Sequence, residues 1–300
     1  PAMAGIITIL ILYLLTKELI GSEVVALSAA LFAAVHPWHI LFSSVFFIET
    51  TLIMFIFLTL WAHIKFVKTG KKSWLILTGV FLGASVATKQ IGYMLPPILI
   101  IQHLLLRFQK SDGYSRQLKL ILKEIGIIVL VSAFIFLPYL SHFYSNTGTI
   151  FQPSNPLTNW WVFKSKVVQD PQAAEFIYNS GLFTYGHFDP TITWHSIIQS
   201  YCPGTYYSKP YSDPLDLLFF VFAIAGGIHL ARRKPRVFLY LLVFVVGYHV
   251  LLVLLQTQKY FIHLKLIIPV FMASSLLLIE DVFKGKRARL FSLIMVVLLI

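Results

Sequence analysis

Glu49 stands in Ser43-Ser-Val-Phe-Phe-Ile-Glu-Thr-Thr-Leu52, a carboxylate at the head of a long apolar run. Burying such a group costs several kcal/mol unless it is paired or hydrated, so an acid there is a functional candidate by default. Its plainer reading is a helix N-terminal acid favoured by the helix dipole, worth about 0.3–1 kcal/mol. Lys89, in Ala87-Thr-Lys-Gln-Ile-Gly92, is the matching cation. It is either a fixed point charge for an anionic group such as a lipid phosphate or a lysine snorkelling to the membrane surface. Lys259 with Tyr260, followed by Lys265, is a second basic position of the same kind. His36 and His39 are close enough in sequence to share a metal, but Pro37 between them disturbs helical spacing and no third ligand is near, so interface histidines are the favoured reading. The single cysteine, Cys202, excludes an intramolecular disulfide framework and any Cys-rich metal site. No Walker-type loop, GxSxG or HExxH occurs.

Apolar segments must position these residues. The 300 residues are 58% hydrophobic and 12% charged with a mean hydropathy of +0.80, the composition of a polytopic membrane protein. Apolar runs lie near 3–16, 24–37, 44–64, 74–88, 91–106, 120–143, 214–230, 237–255, 260–279 and 290–300. They predict an all-α bundle of ten membrane helices, the outermost two truncated, because backbone in lipid must pair within its own segment. Of the 24 basic residues, 18 fall in alternate connections, which the positive-inside rule makes cytoplasmic. Lys89, Lys164, Lys166, Lys209, Lys259 and Lys265 remain for the opposite side, where Glu49, His36 and His39 also lie. The net charge of +12 is therefore a topology signal and a source of anionic-lipid contacts, not a nucleic-acid site. The sequence divides into N-terminal membrane helices (1–145), an extracytoplasmic loop (146–213) and C-terminal membrane helices (214–300). Within the loop, Asp170-Pro171 and Asp189-Pro190 read as helix starts, and Trp194, Ile197, Ile198 and Tyr201 form the apolar stripe of a surface helix. Asp213-Pro214 starts the next membrane helix in the same way.

The order of these features resembles the polyprenyl-phosphate-dependent membrane glycosyltransferases, which include protein O-mannosyltransferases and the lipid A aminoarabinose transferase. The resemblance runs through Leu15-Thr-Lys-Glu-Leu-Ile-Gly21, Ala33-Ala-Val-His-Pro37, Ser43 to Glu49, and Gly79 to Lys89, with a weaker echo from Lys259-Tyr260 to Pro269. It implies sugar transfer from a polyprenyl-phosphate donor to a hydroxyl-bearing protein, lipid or glycan, on the outer face of what is expected to be a prokaryotic plasma membrane. Glu49 then corresponds to the family's second outer acidic position, assisting catalysis, and Lys89 to the lysine closing the fourth helix. Lys259, Tyr260, His36 and His39 join Lys89 as substrate-binding residues. The family's main catalytic acid lies in an outer loop expected upstream of Pro1. A divalent metal remains open as a cofactor, with no metal ligands assigned. The transfer chemistry needs a base for the acceptor and a cation for the departing phosphate, while phosphate is a good enough leaving group to reduce the need for a general acid. The competing class is a transporter or lipid flippase, disfavoured because the helix centres lack lysine and arginine and no internal repeat is evident.

Overall fold

The computed structural model describes residues 2–35, 37–44, 48–108, 114–147, 214–254 and 267–282. Among these every regular element is helical: α1 (Ala2–Ile20), α2 (Glu23–Val35), α3 (Pro37–Ser44), α4 (Ile48–Thr69), α5 (Lys72–Thr88), a 3-10 turn (Gln90–Met94), α6 (Leu95–Arg107), α7 (Tyr114–Thr147), α8 (Pro214–Arg233), α9 (Pro235–Leu254) and α10 (Ile268–Val282). The all-α membrane architecture is as expected; the count of ten spans is not. Among the described residues three helical stretches are long and apolar enough to cross a membrane, namely Ala2–Ile20, Ile48–Thr69 and Ser115–Asn146.

Helix length explains part of the difference, and the run at 290–300 lies outside the described residues. At 1.5 Å per residue, the 13 residues of α2 rise only about 20 Å, short of a hydrocarbon layer of about 30 Å. α5 and the Pro235–Tyr248 part of α9 are likewise shorter apolar helices. The predicted run at 91–106 is divided, because Pro96 and Pro97 lack N–H donors and are best accommodated in a first helical turn, so the 3-10 turn precedes a 13-residue α6. Pro37 similarly starts α3, separating α2 from α4 where the sequence reads as two adjoining runs.

α4 is the central post. Leu52, Ile53, Ile56, Phe57, Leu60 and Ile64 follow a helical period and are all buried, against α1 on one side and α5 on the other. α9 packs on α6, and α8 and α10 form a close pair. Glycine sets the tightest approaches. A Cβ on Gly79 would lie 2.8 Å from Val131 Cβ, and one on Gly83 would lie 2.6 Å from the Ser132 carbonyl oxygen, so this G-x-x-x-G edge of α5 lets the α7 backbone come close. Gly226 does the same for α8 against Phe271 and Ser275 of α10.

The termini of α1, α4 and α8 gather at one end of the bundle. α1 and α4 both stop at glycines in the left-handed region, Gly21 (φ 77°) and Gly70 (φ 65°), whose N–H groups donate to Lys17 O and Phe66 O. Lysines complete the C-terminus of α1: Lys234 Nζ donates to Ile20 O at 2.5 Å, and Lys68 Nζ donates to Glu18 O. Lys65 and Lys68 also pair with the Glu18 carboxylate, and Lys17 with Glu23. Among the described residues, this basic end brings together Lys17, Lys65, Lys68 and Lys234, members of three of the clusters that the sequence places on one side.

Candidate functional site at the end opposite the basic clusters

Glu49 occupies the first turn of α4, where the helix dipole favours a carboxylate. Lys89 is the residue on which α5 ends. Its backbone is extended (φ −158°, ψ 145°), its N–H reaches Ser85 O at 3.4 Å, and its carbonyl accepts from Gly92 N–H at 2.8 Å to start the 3-10 turn. That turn has to lie flat on α5: a Cβ on Gly92 would lie 2.7 Å from the Ser85 carbonyl carbon. The geometry directs the lysine toward α4, and Lys89 Nζ donates to Glu49 Oε1 in an ion pair. The two side chains are 22% and 13% exposed, so the pair is shielded from bulk water yet reachable. Forty residues apart in sequence, the acid and the base singled out there are brought into contact.

His39 turns elsewhere. It is buried on α3, and its Nε2 donates to the Gly5 carbonyl of α1 at 3.2 Å, an approach that depends on Gly5, because a Cβ there would lie 2.8 Å from Ser43 Cβ. Burial lowers the His39 pKa below the usual imidazole value, and the hydrogen bond to Gly5 offsets this only in part. Tyr93, in the turn after Lys89, packs edge-on against Phe136 of α7, with ring centroids 5.5 Å apart, and Phe136 in turn meets Tyr139 at 5.8 Å. The lysine-bearing connection is thereby tied to the long helix α7. His36, Lys259, Tyr260 and Lys265 lie outside the described residues, as do the loop helix signals at Asp170-Pro171 and Asp189-Pro190; α8 does begin at Pro214. Among the described residues no group of three His, Cys, Asp or Glu side chains is placed to hold a metal ion.

A second polar constellation went unnoticed in the sequence. Toward the basic end, His63 of α4, His103 and Arg107 of α6, Glu124 of α7 and Tyr240 of α9 form one connected chain. His63 Nδ1 is 3.3 Å from Tyr240 Oη, His63 Nε2 is 3.0 Å from His103 Nδ1, and His103 Nε2 is 3.0 Å from Glu124 Oε2. Arg107 Nε donates to the same carboxylate oxygen at 2.9 Å, and its Nη2 donates to the other. Histidines inside apolar runs were the available signal, but their partners are 21 to 177 residues distant.

Apolar helices of spanning length define a polytopic membrane protein, with a shielded acid–lysine pair at one end of the bundle and basic residues at the other. Residues 1–142 match the family of dolichyl-phosphate-mannose-protein mannosyltransferases, a stretch that includes both Glu49 and Lys89. In fold, the chain is similar to the apo oligosaccharyltransferase of Archaeoglobus fulgidus (TM-score 0.59, 17% identity), covering 98% of this chain and 42% of that one. It is likewise similar to the archaeal oligosaccharyltransferase AglB of the same organism, in complex with an inhibitory peptide and a dolichol-phosphate (TM-score 0.56, 15% identity, again 98% and 42%). The chain thus spans 42% of the length of these structures. No curated protein sequence matches it. The resemblance to polyprenyl-phosphate-dependent glycosyltransferases read from the sequence is borne out by the family match and the shared fold.

Proposed function

We propose that the chain belongs to a membrane glycosyltransferase that moves a sugar from a polyprenyl-phosphate donor to a hydroxyl-bearing acceptor. The observation that carries this reading is the Glu49–Lys89 pair, two shielded opposite charges at one membrane face within the segment that matches the mannosyltransferase family. Transfer generates a free lipid phosphate, so a fixed cation gains interaction energy as the glycosidic bond breaks. Lys89 supplies that cation. Glu49, held by Lys89, orients hydroxyls of acceptor or donor. Lys259 and Tyr260 add a second contact to the phosphate, and His36 shapes the approach to it.

The family match also supports placing this face outward, with the basic end in the cytoplasm by the positive-inside rule. Shorter helices such as α2 and α5 complete the membrane layer around the three long ones. Nothing in the comparisons favours the transporter alternative. The test is to incubate the purified full-length protein in lipid nanodiscs with a radiolabelled polyprenyl-phosphate mannose and hydroxyl acceptors. Label appearing on an acceptor supports the proposal; movement of the lipid between leaflets of liposomes without transfer would replace it with a flippase.

A further inference from the structure

The Tyr240–His63–His103–Glu124–Arg107 chain obeys a strict proton order. Arg107 holds Glu124 as a carboxylate through both oxygens, so the carboxylate accepts and His103 Nε2–H donates to it. A neutral His103 then has only Nδ1 as an acceptor, which makes His63 Nε2–H the donor across the 3.0 Å contact. His63 Nδ1 must in turn accept, and the Tyr240 hydroxyl donates to it. Four helices are joined by bonds that all point toward Glu124, and every ring nitrogen has a partner. The two imidazoles and Tyr240 are fully buried, whereas Arg107 is 25% exposed and Glu124 8%. Only the Glu124 end meets solvent.

The same heavy-atom positions satisfy a second order that holds one more proton. Tyr240 Oη also lies 3.5 Å from the Leu60 carbonyl, which can take the hydroxyl proton in place of His63. We infer that this chain is a proton-binding clasp at the basic end, storing one proton by reversing its interior hydrogen bonds. In the loaded state His103 carries protons on both nitrogens and donates to Glu124 and to His63 Nε2. His63 keeps a single proton but holds it on Nδ1, donating to Tyr240 Oη, and Tyr240 turns its own to Leu60 O. The unloaded chain holds one proton each on Tyr240, His63 and His103; the loaded chain holds one, one and two, the addition coming from water at the exposed end. Because Leu60 is buried, the far end is closed, and the chain stores a proton without conducting it.

Among the described residues, the charged groups acting on the rings are Arg107 from α6, on both, and Glu124 from α7, on His103; α4 contributes His63, α9 contributes Tyr240, and Gln102 of α6 adds a neutral amide bonded to the Tyr240 carbonyl. Phe66 stacks on His103 at 6.1 Å and lies 5.2 Å under the Arg107 guanidinium, sealing the site. This inference is independent of any glycosyltransferase activity.

Nitrogen-15 histidine NMR of the full chain in lipid nanodiscs tests it. At alkaline pH both rings show Nε2–H with bare Nδ1. On acidification His103 becomes doubly protonated, and at the same midpoint His63 changes from Nε2–H to Nδ1–H. Tyr240→Phe removes both the donor to bare Nδ1 in the unloaded chain and the acceptor for Nδ1–H in the loaded one, so the change of His63 tautomer should no longer share a midpoint with His103. His63 found as Nδ1–H at alkaline pH, or two rings titrating at separate midpoints in the unaltered protein, would overturn the inference even if Tyr240→Phe fails to fold.

Discussion

At Glu49 and Lys89 the chain accepts the cost of shielding two charges and recovers part of it by pairing them. Both were legible in the sequence, because each is a lone charge at the margin of an apolar run. His39 was legible as a residue but not in its role: only the structure shows it donating to Gly5 of α1. Its burial has a consequence for pH. The unfolded chain takes up a proton at His39 near pH ~6.5, whereas the folded chain resists it because burial penalises the imidazolium. The stability this group contributes is therefore complete above that pH and is lost as the pH falls toward the lower folded value. Thermal unfolding between pH 8 and 5 should show that decline in the unaltered protein and a flatter one in His39→Gln, whose amide can still donate to Gly5. An identical pH profile in the two proteins would remove His39 from the account. The clasp around His63 and His103 was not legible, since its members come from four separate runs and histidine does not register in a count of charge.

Among the elements, the divided helix at 90–107 is the instructive case. Hydropathy reads straight through it, while the pyrrolidine rings of Pro96 and Pro97 require a new start, and that break leaves Lys89 on a bend directed at α4. The close packing of α5 on α7 rests on Gly79 and Gly83, a G-x-x-x-G spacing that is visible in the sequence but names no partner. Gly83→Ala places a Cβ 2.6 Å from the Ser132 carbonyl oxygen, so α7 must retreat, with an expected cost of about 1–3 kcal/mol. Gly126→Ala on α7 is the matched control. Its Cβ meets nothing within 4 Å, and relief of glycine entropy should leave stability unchanged or improved by about 0.5–1 kcal/mol. Thermal midpoints of the two variants in detergent check both values, and equal effects would mean that the α5–α7 contact is not glycine-dependent.

For the whole molecule, the strongest sequence signal was the segregation of 18 of 24 basic residues, and the structure gathers the ends of α1, α4 and α8 accordingly. Among the described residues fewer helices reach spanning length than hydropathy suggests, because it records apolar content without the helix breaks that divide it. Sidedness can be measured directly. In a Cys202→Ser background, Asn146→Cys, exposed at the far end of α7, should react with a membrane-impermeant maleimide in intact cells and Lys71→Cys only after permeabilisation; the opposite pattern would invert the bundle. The central claim is that Lys89, paired with Glu49, handles the phosphate of a lipid-linked sugar. It is tested most directly by turnover of labelled polyprenyl-phosphate mannose by the full-length protein, with and without Lys89→Ala, at matched membrane insertion. The account predicts that Lys89→Ala lowers kcat by about 10²–10³-fold, with Glu49→Gln strongly impaired as well; near-normal turnover in both variants would contradict it.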